Sequence, residues 1–269
     1  MAQKAGRSAA DRSLVQELVD ANHILFHQGV VDGFGHVSVR HDKHAARFLL
    51  ARSMAPALVA ATDILTFDLD GNPVDEDRRA PYLERFIHGE IYRARAEVQA
   101  VVHSHSPCVI PFGVASGSPL RAVCHMSGFL GASTPVFEIR AAAGPASDML
   151  IRNRALGAAL AQSLGTRVVV LMRGHGSTAV GKSLQQAVFR AVYTEVNAKL
   201  QAEAMRLGPV TYLTDAEADN AAAANDGQIS RAWLLWKMQA EREARQAAPR
   251  FRSRRQAHGL SGSRGSKRR

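Results

Sequence analysis

The 269-residue chain has only two cysteines, Cys108 and Cys124, and no Cys-x-x-Cys pair. That excludes a disulfide framework and a thiolate metal site, and leaves a reducing, cytoplasmic location as the default expectation. No stretch reaches the ~20 consecutive apolar residues that a membrane span requires. Behind Lys4 and Arg7 there is no apolar run of the kind a secretory leader carries. A soluble protein with no membrane partner is therefore expected. No internal repeat is visible, which argues against solenoid and propeller designs. Acidic residues are missing altogether from Arg245 onward, where nine of the chain's 34 Arg and Lys lie, so the net charge of +10 belongs almost wholly to that tail. A basic run by itself gives salt-sensitive, non-specific contact with polyanions, so no specific nucleic-acid partner is implied.

What is present is ordinary for a globular protein: 46% hydrophobic and 22% charged residues. Residues 1–11 read as a flexible N-terminus and residues 12–244 as one large domain ending in a helix. Residues 245–269 read as a disordered basic tail that cannot bury enough surface to offset its ordering entropy. Ser13 is positioned to cap a first helix with a 3.6-residue apolar period ending near Gly29. After Gly33-Phe34-Gly35, residues 36–40 alternate as a half-exposed strand, and 48–51 and 64–67 read as further strands. Asp68 to Asn72 forms a turn, since Asp70-Gly71 supplies the positive φ of a tight reversal. Helices are predicted over 83–96, after Ser106-Pro107, over 151–164 and over 184–207. Strands are predicted over 98–103 and 167–172, with an irregular stretch over 116–143. Trp233, Leu234, Trp236 and Met238 mark the final amphipathic helix.

His103 and His105 stand two residues apart, so on a strand both imidazoles leave the same face and can converge on one cation. Three protein ligands would leave a position open for substrate. By itself the pair fits two half-buried histidines equally well. Gly174-His175-Gly176 follows the apolar run 168–172, where the glycines let the backbone turn sharply and leave the imidazole unobstructed. Alone, His175 fits a turn or capping histidine better; the three together favour a metal. Glu84 stands at the start of the helix read over 83–96, where the macrodipole alone explains a carboxylate. A chemical role requires that this helix start face the histidines. His88, one turn on, is a secondary candidate. His23, His27, His41 and His44 have no comparable context, and Cys124-His125-Met126 suggests no role.

Glu84-Arg85-Phe86-Ile87-His88, Val101-Val102-His103-Ser104-His105 and Gly174-His175-Gly176 together resemble the class II aldolase/adducin family, over about residues 12–208. The resemblance implies an α/β fold, a three-layer α/β/α domain around a largely antiparallel central sheet. It also implies a divalent metal on His103, His105 and His175, Glu84 as the acid/base group, and a homotetramer with active sites shared between neighbouring subunits. Zinc, manganese, iron and cobalt all suit such an imidazole-rich site.

Family members acting on sugar phosphates hold phosphate with a Gly-Asn-x-Ser turn and a Ser/Thr/Gly-rich loop. Here the turn is Gly35-His36-Val37-Ser38, and the loop is Ala51-Arg52-Ser53-Met54-Ala55-Pro56. An arginine offers a planar fork that pairs with a carboxylate. His36, Ser38, Arg52 and Ser53 are accordingly read as contacts to a carboxylated substrate, with a solvent-facing strand end as the other reading of Arg52. These two loops and Arg231-Ala232-Trp233-Leu234-Leu235-Trp236-Lys237 look like the branch containing decarboxylases of hydroxylated aromatic dicarboxylates, such as dihydroxyphthalates and hydroxy-methylpyridine-dicarboxylates. The expected reaction is metal-assisted loss of CO₂ from an ortho-hydroxy aromatic acid, with Glu84 protonating the ring carbon. An aldolase or epimerase acting on a hydroxy-keto or sugar-phosphate substrate is the alternative, and the altered loops count against it. A non-catalytic interaction module is a third reading, disfavoured by the intact histidine trio.

Overall fold

The computed structural model describes residues 9–74 and 77–259, with 247–259 given by backbone alone. Among them, seven strands form one sheet: β1 (His36–Arg40), β2 (Arg47–Ala51), β3 (Ile64–Asp68), β4 (Ala100–Ser104), β5 (Val136–Phe137), β6 (Val169–Met172) and β7 (Gly176–Gly181). Their order is β3-β2-β1-β4-β7-β6-β5. Every pairing is antiparallel except β5 with β6. The largely antiparallel sheet expected from the sequence is thus present.

Helices cover both faces of this sheet. On one face α1 (Arg12–His27), α6 (Leu184–Leu207) and α8 (Ile229–Gly259) share a core with Val37, Val39, Val102 and Leu171. On the other, α2 (Phe86–Ala94) and α5 (Arg154–Leu164) pack on Phe48, Leu50, Val101 and Val170. Short helices α3 (Ile110–Val114) and α4 (Arg140–Ala143), with α7 (Asp215–Asp226), complete the set. Each fully buried Leu, Ile or Phe in these layers contributes roughly 1.5–3 kcal/mol. Lys237 on α8 reaches the buried Asp20 of α1 at 2.7 Å, which ties the last helix to the first.

Several local expectations are corrected. α1 is capped by Asp11, whose side chain accepts the Ser13 amide at 2.7 Å; Ser13 itself lies inside the helix. β1 is buried at all five positions. Its apolar–polar alternation is real, but the polar face meets α2, whose His88 and Tyr92 bond Ser38. α3 begins at Ile110 with Pro111 in its first turn, later than Pro107 suggested. β7 and α7 are additions to the elements expected from the sequence. α7 carries a Thr214/Glu217 capping box that the Thr-x-x-Glu spacing encodes. α8 continues to Gly259, past the boundary drawn at Arg245; residues 1–8 of the predicted flexible N-terminus and 260–269 of the predicted tail lie outside the described residues. Among the described residues no helix is long and apolar enough to cross a membrane.

Candidate active site

The site is built where three chain reversals meet the end of β4. His103 is the fourth residue of that strand, and His105 lies just past its last residue, Ser104. β7 runs beside β4, and the turn entering it from β6 carries His175, whose amide donates to Met172 O at 3.0 Å. Gly174 takes φ +64° in this turn. A Cβ on Gly176 would fall 1.9 Å from Ser104 O, so glycine is what lets the turn lie against the end of β4. Glu84 comes from the turn before α2, which starts only at Phe86; it is not in the first turn of that helix, so the macrodipole does not account for it. Its Oε1 accepts the Ile151 amide at 2.9 Å, and its Oε2 lies 3.4 Å from Nε2 of both His103 and His175.

These four residues offer ligand atoms that all lie within 4.8 Å of one another. The bonds behind the rings show what they offer. His103 Nδ1 lies 3.2 Å from Ser177 O, and His175 Nδ1 lies 2.9 Å from Met149 O. A carbonyl only accepts, so both rings carry their proton on Nδ1 and turn the Nε2 lone pair inward. His105 Nε2 stands 3.2 Å from one of these lone pairs and 2.9 Å from the other. One ring proton cannot satisfy both, and a carboxylate oxygen faces the same point. Protonating the rings would instead crowd cations together. The donor set fits a divalent cation, which converts these repulsions into bonds. Met149, whose carbonyl fixes His175, is the one non-glycine residue at positive φ (+69°) among those described, a strained geometry of the kind that collects at functional sites.

Electrostatics agree with this arrangement. Burial pushes the Glu84 carboxyl up, but positive charge collected between His103 and His175, whether as protons or as a metal ion, pulls it down harder. Its net position is well below the usual carboxylate range, and a cation held by the same histidines acts in the same direction. Burial, then the neighbouring His103 and His175, push His105 down to about 4, which keeps it neutral and available as a ligand near pH 7.

A cleft of about 300 Å³ opens beside the cluster, with Glu84, His105, His36 and Ser53 as its polar lining. Phe34, Met54, Ala55, Tyr82, Leu83 and Leu150 give it apolar walls. Phe34 is 68% exposed, and its ring lies nearly parallel to that of His105 at 6.0 Å. Gly35, at φ +91°, brings this loop against the sheet, since a Cβ there would sit 2.6 Å from Val31 Cγ1 and 3.1 Å from His103 O.

The predicted substrate contacts separate into three groups. His36 and Ser53 line the cleft. Arg52 does not line it; its Nε donates to Asp63 at 2.8 Å. Ser38 is fully buried behind His36, bonded to His88 and Tyr92. His88 stands outside the metal cluster, its Nε2 2.7 Å from His36 Nδ1, and burial pushes it down to about 3. The reading of the sequence missed Tyr92 and the apolar walls. For Tyr92 the available signal was its i, i+4 spacing from His88.

Residues 16–202 match the family described as Class II Aldolase and Adducin N-terminal domain. The chain belongs to this family. Decarboxylase tropJ of Talaromyces stipitatus is 40% identical over 250 residues, covering 84% of this chain and 94% of that protein. The 3,4-dihydroxyphthalate decarboxylase of Arthrobacter keyseri is 35% identical over 202 residues, covering 70% and 77%. Both fall in the branch that the loops of this chain resemble. Among solved structures, an L-fuculose 1-phosphate aldolase superposes with a TM-score of 0.70 at 23% identity, covering 82% of this chain and all of that one, which shows the shared fold. The relatives are decarboxylases and aldolases, so the comparisons assign this chain to the class II aldolase-like lyases.

Proposed function

We propose that the protein is a divalent-metal-dependent decarboxylase of an ortho-hydroxy aromatic carboxylate or dicarboxylate, of the dihydroxyphthalate kind. The observation that carries this reading is the cleft itself. Its apolar walls suit a flat ring, an exposed phenylalanine lines it, and Glu84 and His105 bring the lone-pair cluster to its surface. Relatives named as decarboxylases at 40% and 35% identity support it.

His103, His105 and His175 would hold the metal, with Glu84 beside it. When bound, a divalent cation supplies Lewis-acid stabilisation of negative charge on substrate oxygens. Glu84 is ionised at rest, so it acts first as a base and takes the proton of the ortho hydroxyl on Oε2. The bond between the ring carbon and the carboxylate then breaks. CO₂ leaves, the electron pair remains on the ring carbon, and Glu84 returns the proton to that carbon; the phenolic oxygen is reprotonated from solvent. The Ile151 amide on Oε1 holds the carboxylate in place throughout. Ser53 and His36 offer hydrogen bonds to the anionic groups that stay on the ring. Arg52, whose Nε is tethered to Asp63, keeps its terminal nitrogens for a second carboxylate at the rim. The active assembly is a homotetramer that acts in the cytoplasm in the catabolism of aromatic compounds.

The test is CO₂ release from a panel of ortho-hydroxy aromatic mono- and dicarboxylates, run beside L-fuculose 1-phosphate, with zinc, manganese, iron or cobalt supplied. Release of CO₂ from an aromatic acid supports the reading. Aldehyde release from the sugar phosphate with no turnover of any aromatic acid would overturn it in favour of an aldolase.

A further inference from the structure

A file of buried polar side chains runs from the cleft into the core, and the chemistry above uses only its first member. His36 Nδ1 lies 2.7 Å from His88 Nε2, His88 Nδ1 lies 2.6 Å from Ser38 Oγ, and Ser38 Oγ lies 2.8 Å from the Tyr92 hydroxyl. His88 and Ser38 have no exposed surface, and Tyr92 has 1%. Phe48 packs on the Tyr92 ring, and the Arg40 guanidinium, which has only donors, lies over it at 4.7 Å. Among the described residues, Ser38 Oγ is the only acceptor bonded to the phenol. Each member of the file has one proton to give when the imidazoles are neutral. If Ser38 donated to Tyr92, a phenolic O–H would be buried with no acceptor, the arrangement that folded proteins avoid. The phenol therefore donates, and the rest follows by proton count.

We propose that Tyr92 sets the direction of this file, so that Ser38 donates to His88 Nδ1 and His88 Nε2 donates to His36 Nδ1. His36 is thereby locked with its proton on Nε2, as a fixed hydrogen-bond donor to an anionic or carbonyl oxygen in the cleft. Among the described residues His36 Nε2 has no other partner, and His36 lines the cleft. Tyr92, Ser38 and His88 are positioning residues; only His36 reaches the substrate. The step from donor to carboxylate recognition rests on the function proposed above, whereas the direction of the file does not. The assignment also gives His36, where sugar-phosphate members have asparagine, a distinct consequence: a ring that donates at one end because it accepts at the other.

Histidine ¹⁵N NMR on the full-length chain, metal-free or zinc-loaded, reads the tautomers directly, with His36→Gln and His88→Gln identifying the signals. In the unsubstituted protein both His36 and His88 should carry the proton on Nε2. Tyr92→Phe frees the serine hydroxyl to turn and accept from His88 Nδ1, and should give a mixture of Nδ1–H and Nε2–H forms at both rings; the tautomers of the unsubstituted protein keep the test available if this variant does not fold. A proton on His36 Nδ1 in the unsubstituted protein, or unchanged tautomers in folded Tyr92→Phe, overturns the proposal. Salicylate binding supplies the second arm: His36→Leu should weaken it about tenfold, and His36→Gln, which keeps an N–H donor, should recover most of that. Failure of salicylate to bind the unsubstituted protein while the tautomers are as stated counts against the carboxylate reading and leaves the directed file standing.

Discussion

Two groups of histidines, one buried and one partly so, lie side by side in this protein, and their hydrogen bonds differ in kind. In the file of His36, His88, Ser38 and Tyr92, the donors and acceptors can be matched in sequence. In the cluster of His103, His105, His175 and Glu84, the outer nitrogens of two rings are spent on carbonyls, and the inner lone pairs face one another and a carboxylate. The first group is matched within the protein up to His36 Nε2, which is left for the cleft. The second is complete only around a cation. Burial of histidine therefore does not by itself mark a metal site; the bonds on the far side of each ring decide which atoms remain available.

The comparison breaks most readily at the cluster. His103→Ala or His175→Ala should abolish metal retention, measured by elemental analysis after dialysis, and reduce turnover to background. Glu84→Gln should lower kcat by ~10²–10⁴-fold, the range for loss of a positioned acid/base group. Retained turnover in that variant would transfer the proton steps to another residue.

The buried file gives an effect on stability. His88 is held at about 3 against an ordinary 6.5, because burial disfavours its charged form. A histidine with a lowered folded pKa takes up a proton in the unfolded chain first, so stability is full above pH ~6.5 and declines as pH falls toward ~3. The slope is about 1.4 kcal/mol per pH unit for each such group. Urea unfolding of the metal-free protein at pH 7 and pH 5 measures it, and His88→Gln should flatten the dependence. A pH-independent midpoint over this interval would contradict the burial assigned to His88. The smallest effect belongs to the rim: Arg52→Lys should raise KM for an aromatic dicarboxylate about tenfold with little change in kcat, as expected for a hydrogen bond to a charged group.

Much of this site was legible in the sequence because its ligands sit at the ends of strands. His103 and His105 follow the two-residue period of β4, and glycines flank His175 where the chain must reverse. The strands themselves were less evenly readable. β6 is a run of large apolar residues, whereas β7 reads Gly-Ser-Thr-Ala-Val-Gly and is buried by close backbone packing instead of by large side chains. What no pattern could supply was distance. The carbonyls of Ser177 and Met149 fix two ligand rings, and a backbone oxygen has no residue type to reveal it. Glu84 faces the histidines from a turn before its helix, and Ser38 belongs to the buried file because α2 covers β1. Arg52 was read as a fork for substrate, and its tether to Asp63 depends on a contact eleven residues away.

The most direct measurement combines metal content with CO₂ release on one preparation, before chelation, after chelation and after metal is restored. The lone-pair geometry predicts one divalent ion per chain, loss of CO₂ release when it is removed, and recovery when it is returned. Undiminished CO₂ release by protein verified to be metal-free would contradict the account.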